Sequence, residues 1–583
     1  MNHIGTVTFV SFDKLAFEIS DFGKLQFNAD GDFYFTKGVL DFVTIINNQN
    51  DKFIYQVERI EDKEKILSRE ENGKFEYVAN VWATPIGTII NGKINFNLKT
   101  YPFLQNKVYL TSNEEFDMIF NRSNNHSVNL GTIADKFEAK LDINKLFTYH
   151  TAILGNTGSG KSTTIRQILA ELNKQETTNL KIYIFDVHNE YSGLVGNSIN
   201  VLKDFKIDVK SLVLQDWINL VKPSDLVQLP LLRTALKLGN ALEKNLINED
   251  WLRMYLAYEL YNNVQTDAVP KRSKIVGLLR GININTSLFT KFGNFESEKT
   301  EKIFLDSLLQ QMDSIHPSEG NENYIHLQNI IKDSEYSVSD FKSLTKGLEY
   351  VFLLEESKGN TQARAYSATL ETRIKEIEQR YTPLFSDNQS SDLNQNSDLN
   401  QSSDLKDKFV IYNVSQLEDD MLLFFVSYVS KRVFEQSKNC ETIDGREVNV
   451  LLLEEAHRYI SNDKENSQIF ELDTFKRIAR EGRKFGVFLF LSSQRPSELS
   501  GTLLSQANNF LLHRIKNNVD LEYLAKTVPY VTQNQLKRLS FLPTGTTYVV
   551  GELFPIPTEI DVHSPNKVDD VTQTPPIKFK STN

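Results

Sequence analysis

A single cysteine, Cys440, stands among 583 residues. One thiol makes no internal disulfide and no cysteine zinc cluster, which suits a chain that folds in a reducing cytoplasm. Long apolar runs are missing as well: MLLFFVSYV, VNVLLL and GVFLFL fall short of the roughly 20 residues that cross a bilayer. The start, MNHIGTVTFVSFDK, has neither the basic opening nor the apolar core of a secretory leader, so a cytoplasmic protein without a membrane partner is expected. Basic residues are not in excess. Against 76 Asp and Glu stand 65 Lys and Arg, a formal charge of −11, which argues against a surface that coats nucleic acid but leaves room for a basic channel in an acidic particle. With 40% hydrophobic and 24% charged residues the chain is neither largely disordered nor fibrous. Its length suggests about three to four domains.

Residues 1–120 alternate apolar and polar positions in short runs (5–10, 15–19, 32–35, 43–46, 53–57, 86–90, 93–98 and 107–110), separated by Gly, Asn and Asp clusters. Period two between turn residues predicts a small closed or sandwiched β domain. From Phe147 the pattern becomes strand, glycine loop, helix. Buried strands are expected at 151–154, 181–185, 409–414, 448–453, 487–491, 510–515 and 546–550, alternating with helical segments. That order predicts an α/β fold with a mostly parallel, doubly wound sheet. Its two parts, 141–204 and 409–562, flank a segment at 205–385 whose apolar residues keep helical spacing, as in LLRTALKLGNALEKN and ATLETRIKEIEQRY. A repetitive stretch at 386–408, in which SDLNQ recurs, buries nothing and reads as a linker, and 563–583 reads as a tail.

The chemistry begins at Gly155-Asn156-Thr157-Gly158-Ser159-Gly160-Lys161-Ser162, with Thr163 following in the helix. This is the phosphate-loop pattern, after an apolar strand and before a helix. Its glycines let backbone N–H groups turn around a β-phosphate, Lys161 reaches the β- and γ-phosphates, and Ser162 ligates Mg²⁺, so ATP and Mg²⁺ are the expected cofactors. The strand 448–453 ends in Glu454 and Glu455. Behind a phosphate loop, one acid holds the metal's hydration shell and the next activates water, so the pair points to hydrolysis rather than mere binding.

In the following helix Leu472, Phe475, Ile478 and Ala479 form an apolar stripe beside Lys476, Arg480, Arg483 and Lys484. A solvated basic face has the same spacing as an arginine finger aimed at a neighbouring subunit. Gln494, after the strand 487–491, fits a γ-phosphate sensor or a plain turn before Pro496. The acids and histidine of Asp186-Val187-His188-Asn189-Glu190-Tyr191 read as a nucleotide-proximal or interface loop rather than a metal cluster.

Together, HTAILGNTGSGKSTT, IFDVHNEYS, LLLEEAHRYI, REGRKFGVFLFLSSQRPSEL and LLSQANNFLLHRI resemble the HerA branch of the FtsK–HerA superfamily of motor ATPases, over residues 141–560. The resemblance implies a RecA-like P-loop core with a helical insertion behind a small N-terminal β-barrel. It also implies a hexameric homo-oligomer that translocates double-stranded DNA beside a nuclease. By motif, Lys161 and Ser162 would bind nucleotide and magnesium, Glu454 magnesium and Glu455 the attacking water; Gln494 would be the sensor, and Arg480 or Arg483 the finger.

Two departures stand out: Glu454 occupies a place where aspartate is common, and the insertion ends in the repeat linker. Members of the family also serve as the ATPase half of bacterial antiviral pairs, with a NurA-like or other nuclease or a sirtuin-like NAD-consuming enzyme as effector. Two functions therefore compete: a DNA translocase or helicase in anti-phage defence or DNA end processing, and an ATP-gated scaffold that activates an effector. Leu499-Ser500-Gly501 recurs in ABC transporters, but there it precedes the acidic strand, and here it follows Glu455.

Overall fold

The computed structural model describes residues 3–29, 32–36, 38–62, 78–96, 98–120, 126–135, 137–196, 198–263, 268–317, 322–386, 408–440, 445–462, 473–529, 531 and 533–565. The repeat linker, Leu472 and most of the expected tail lie outside them.

The N-terminal alternation folds into a seven-stranded antiparallel sheet whose strand Leu15–Ile19 pairs with both Gly5–Val10 and Ala79–Ile90, which closes it into a barrel. Closure leaves the six strands of the ring without a free edge, and Lys93–Asn95 pairs with Ala79–Ile90 beside it. Inside pack Leu15, Phe17, Ile45, Phe53, Tyr55, Val81 and Val108, the alternate residues of their strands.

The second sheet has eleven strands. In chain order they are β1 (Ser127–Ile133), β2 (Phe137–Asp142), β3 (Thr151–Leu154), β4 (Leu180–Asp186), β5 (Ser198–Asn200), β6 (Phe409–Asn413), β7 (Val448–Leu453), β8 (Val487–Ser493), β9 (Asn509–Leu512), β10 (Thr546–Gly551) and β11 (Thr558–Val562). Their spatial order is β2-β1-β11-β10-β9-β3-β8-β7-β4-β6-β5. From β9 to β5 every neighbour is parallel, and from β9 back to β2 every neighbour is antiparallel.

The parallel strands read as continuous apolar runs because both of their faces are covered. Ile153, Ile184, Leu452 and Phe490 face α1 (Lys161–Asn173), which supplies Ile165, Ile168, Leu169 and Leu172. Ala152, Leu154, Phe185, Leu451, Leu453 and Leu491 belong to the opposite core, with α2 (Asp419–Lys438) and α3 (Asp473–Phe485). The antiparallel flank adds β1, β2 and β11 to the strands expected from the sequence. Alternation in 127–142 has the same period as the barrel, and period does not say which sheet a strand joins.

Between β5 and β6 the chain is helical, and its longest helices there are Gln228–Glu243, Glu298–Ile315 and Phe341–Ser357. A two-residue parallel ladder, Ile207–Asp208 against Phe385–Ser386, fastens the two ends of this insertion together. Its core is continuous with the sheet through rings: Trp217 meets Phe341 at 5.5 Å, Phe341 meets Phe385 at 5.1 Å, and Phe205 meets Phe425 of α2 at 5.1 Å. Among the described residues no helix is long and apolar enough to cross a membrane.

Candidate nucleotide site

All parallel strands deliver their loops to one edge of the sheet, and in open α/β folds that carboxyl edge is where ligands bind. The loop after β3 is shaped by its glycines. Gly158 and Gly160 take φ of 71° and 108°, where a side chain is strained, and a Cβ on Gly155 would lie 2.5 Å from His513 Cβ. α1 then begins at Lys161 with no side-chain cap, so its first N–H groups and the positive end of its dipole face the loop. Asn156 braces the loop from the β9 side, its N–H donating to Arg514 O at 3.0 Å and its Oδ1 accepting from Lys516 N at 2.7 Å.

Lys161 is buried and donates from Nζ to Asn156 O at 3.2 Å. Burial holds its pKa below the ordinary range, against the charges of Glu455, Glu454 and Glu190, which favour its ammonium. Ser159 Oγ is buried without a hydrogen-bond partner. A buried lysine facing acids, an unpartnered hydroxyl and an uncapped helix start are the donor set that a polyphosphate requires, so the loop fits a nucleotide.

The two acids after β7 diverge because Glu455 sits in the left-handed region, at φ 47° and ψ 46°. Glu454 turns inward: Oε2 accepts from Val187 N at 3.0 Å and Oε1 from the Tyr191 hydroxyl at 3.2 Å. Burial, reinforced by the charges of Asp186 and Glu190, pushes its pKa up to about 8. Asp186 ends β4 and accepts from the N–H groups of Glu190 and Tyr191 at 3.0 Å each, which fixes the loop around Glu454.

Glu455 has a different environment. Its Oε1 stands 3.9 Å from His188 Nε2 and its Oε2 3.3 Å from His457 Nδ1. Burial raises its pKa, but the neighbouring His188, His457 and Lys161 together outweigh burial and hold it below the ordinary value. Burial thus pushes one acid of the pair up while its neighbours hold the other down, a separation that hydrolytic sites use to divide roles.

Gln494, the residue after β8, accepts a hydrogen bond from the Thr157 hydroxyl, so it touches the phosphate loop directly. Beside them lies a cavity of ≈ 410 Å³ lined by Asn156, Thr157, Gln494, Arg495, Asn517 and Asp520. Arg480 and Arg483 are elsewhere. Phe475, Ile478 and Ala479 bury the apolar stripe of α3 while both arginines stay exposed, and Arg483 lies 5.0 Å over the Tyr149 ring, at the amino edge of β3. Within one chain, neither arginine reaches the loop.

The sequence motifs do not single out His457 or His513. His513 is buried, bonds to the Thr164 hydroxyl through Nε2 at 3.0 Å, and has its pKa pushed down to about 3 by burial and by Lys161, so it stays neutral beneath the loop. A histidine two residues after the paired acids was the available signal for His457; for His513 a strand end offers none.

Loop, paired acids and amide at one sheet edge define a P-loop ATP-hydrolysing enzyme. Residues 128–433 match the family model of the helicase HerA central domain. A probable helicase of Methanocaldococcus jannaschii is 24% identical over 549 residues, covering 92% of this chain and 88% of its own. The DNA double-strand break repair helicase HerA of Sulfurisphaera tokodaii is 23% identical over 467 residues, covering 79% of this chain and 73% of its own. Among solved structures, VirB4 of Thermoanaerobacter pseudethanolicus aligns over 76% of this chain and 98% of its own, with 16% identity and a TM-score of 0.42. The chain belongs to the HerA helicase family, as an ATP-driven enzyme of the translocase and helicase type.

Proposed function

We propose that the protein is a ring-forming DNA translocase or helicase that acts with an effector enzyme in anti-phage defence or DNA end processing.

ATP with Mg²⁺ supplies the anhydride whose hydrolysis drives movement. The observation that carries this reading is the ionised Glu455 set beside the buried Lys161 at the phosphate loop, in a chain of the HerA family. In this reading the loop 155–160 and Thr163 would wrap the phosphates, Lys161 would offset their charge, and Ser162, with Glu454 acting through the hydration shell, would hold the metal. Glu455 takes the proton of the attacking water, and Gln494 aligns that water or senses the γ-phosphate. Since Arg480 and Arg483 stand at the far edge of their own sheet, their finger role requires a neighbouring subunit, which fits a homo-hexamer.

The partners proposed are double-stranded DNA and an effector, either a nuclease or an NAD-consuming enzyme. The test is the steady-state ATPase rate with and without duplex DNA, with Lys161→Ala as the blank. A rate that rises with DNA supports the motor. A robust rate indifferent to DNA favours the ATP-gated scaffold, and no rate above the blank refutes the hydrolytic reading.

A further inference from the structure

Glu455 is held in place by very little of its own backbone. Its left-handed conformation begins a single turn, Ala456–Arg458, and the carboxylate projects between two histidines from different elements. These histidines are not equivalent. His188 is half exposed and its Nε2 is 3.9 Å from Oε1, beyond hydrogen-bond reach. His457 is partly buried; its Nδ1 is hydrogen-bonded to Ser493 Oγ at 3.2 Å and lies 3.3 Å from Glu455 Oε2. Oε2 has no hydrogen-bond partner of its own, so a hydrogen on Nδ1, which stands 3.3 Å away, would be the donor that completes it.

The ring is fixed from both sides. Arg458 bonds to Asp419 of α2 through Nε at 2.9 Å, and the Tyr459 hydroxyl donates to Glu454 O, which together pin the turn that carries His457. Ser493 is fully buried at the end of β8, and its Oγ also accepts from Arg495 N at 3.1 Å. The next residue, Gln494, holds Thr157 of the phosphate loop. A continuous path thus runs from Thr157 through Gln494, Ser493 and His457 to Glu455.

We propose that His457 is the positioning residue of the Glu455 carboxylate, tying it to the end of the strand that carries Gln494. The proposal rests on the reading of Glu455 as the base that activates water. Through His457, a change at the phosphate loop reaches the carboxylate without passing through the strand that bears it.

The experiment measures ATP hydrolysis, nucleotide binding and thermal unfolding of the full chain carrying His457→Ala, His457→Asn or Ser493→Ala. His457→Ala lowers kcat about 100-fold, the order expected for a misplaced catalytic group, with KM, nucleotide affinity and Tm little changed. His457→Asn keeps an N–H near the position of Nδ1 and recovers about tenfold of that loss. Ser493→Ala lowers kcat less, and the double variant with His457→Ala is no slower than His457→Ala alone. A full kcat in His457→Ala overturns the proposal, as does a loss matched by an equal fall in nucleotide affinity or Tm that asparagine does not repair. Glu455→Gln, run in parallel, separates the two layers: if it hydrolyses ATP normally the base assignment itself fails, whereas an inactive Glu455→Gln beside a fully active His457→Ala overturns only the positioning role.

Discussion

The two edges of the parallel sheet use the same residue types to opposite ends. At the amino edge, His150 is buried with both ring nitrogens engaged: Nδ1 accepts from Leu489 N at 2.9 Å and Nε2 bonds to Ala479 O at 3.1 Å. It locks β3, β8 and α3 together. At the carboxyl edge, His457 bonds through Nδ1 to a serine hydroxyl and stands 3.3 Å from the Glu455 carboxylate. The left-handed residues differ in the same way, because Gly486 only ends α3, whereas Gly158, Gly160 and Glu455 aim phosphate-loop and acid groups at a common space. One edge is built for rigidity and the other for charge, which is the division that parallel strands with all their carboxyl ends on one side permit.

This contrast can be broken most severely at the carboxyl edge. Lys161→Ala removes the cation that faces the acids, and ATP turnover falls to background in a phosphate-release assay. Arg480→Ala or Arg483→Ala, whichever is the finger, lowers kcat by about 10³-fold or more. Mixing that variant with Lys161→Ala restores some activity, because one subunit's intact loop meets another's intact arginine; failure of both arginine variants to slow turnover removes the finger from α3.

Milder changes sharpen the comparison. His150→Ala leaves two buried backbone groups unsatisfied and lowers stability by about 2 kcal/mol or more in chemical denaturation, while kcat per folded molecule is unchanged. His457→Ala should do the reverse.

The smallest effect is one of pH. Burial pushes the pKa of His150 down to about 4 and that of His513 to about 3, below the ordinary 6.5. Between those values the unfolded chain binds protons that the folded chain refuses, so stability is intact above 6.5 and is lost as pH falls towards the folded pKa values. Replacing His150 with Asn makes the decline of Tm between about pH 7 and 5 shallower. An unchanged slope contradicts a neutral buried His150.

Much of this was written plainly in the chain. The phosphate loop, the acids after 448–453 and the strands of the parallel half other than the short edge strand β5 follow from apolar runs and fixed spacings, since a strand buried on both faces has little choice of residues. Of the antiparallel flank only β10 was legible; β1 and β2 alternate as barrel strands do. Nor was the split between Glu454 and Glu455: adjacent residues in sequence part company only through the left-handed turn at Glu455, and Tyr191, His188 and His457 arrive from loops that periodicity does not place. The arginines of α3 show the same limit, for their spacing fits a basic face and a finger equally, and their side of the sheet emerges only from the fold.

The central claim is that Glu455, and not its buried neighbour, performs the hydrolytic proton transfer. The most direct measurement is the turnover of Glu455→Gln together with the amount of ATP it holds. The account predicts nucleotide binding close to that of the unaltered protein and a kcat lowered by about 10²–10⁴-fold, the range for loss of a general base. Normal hydrolysis by Glu455→Gln would contradict it.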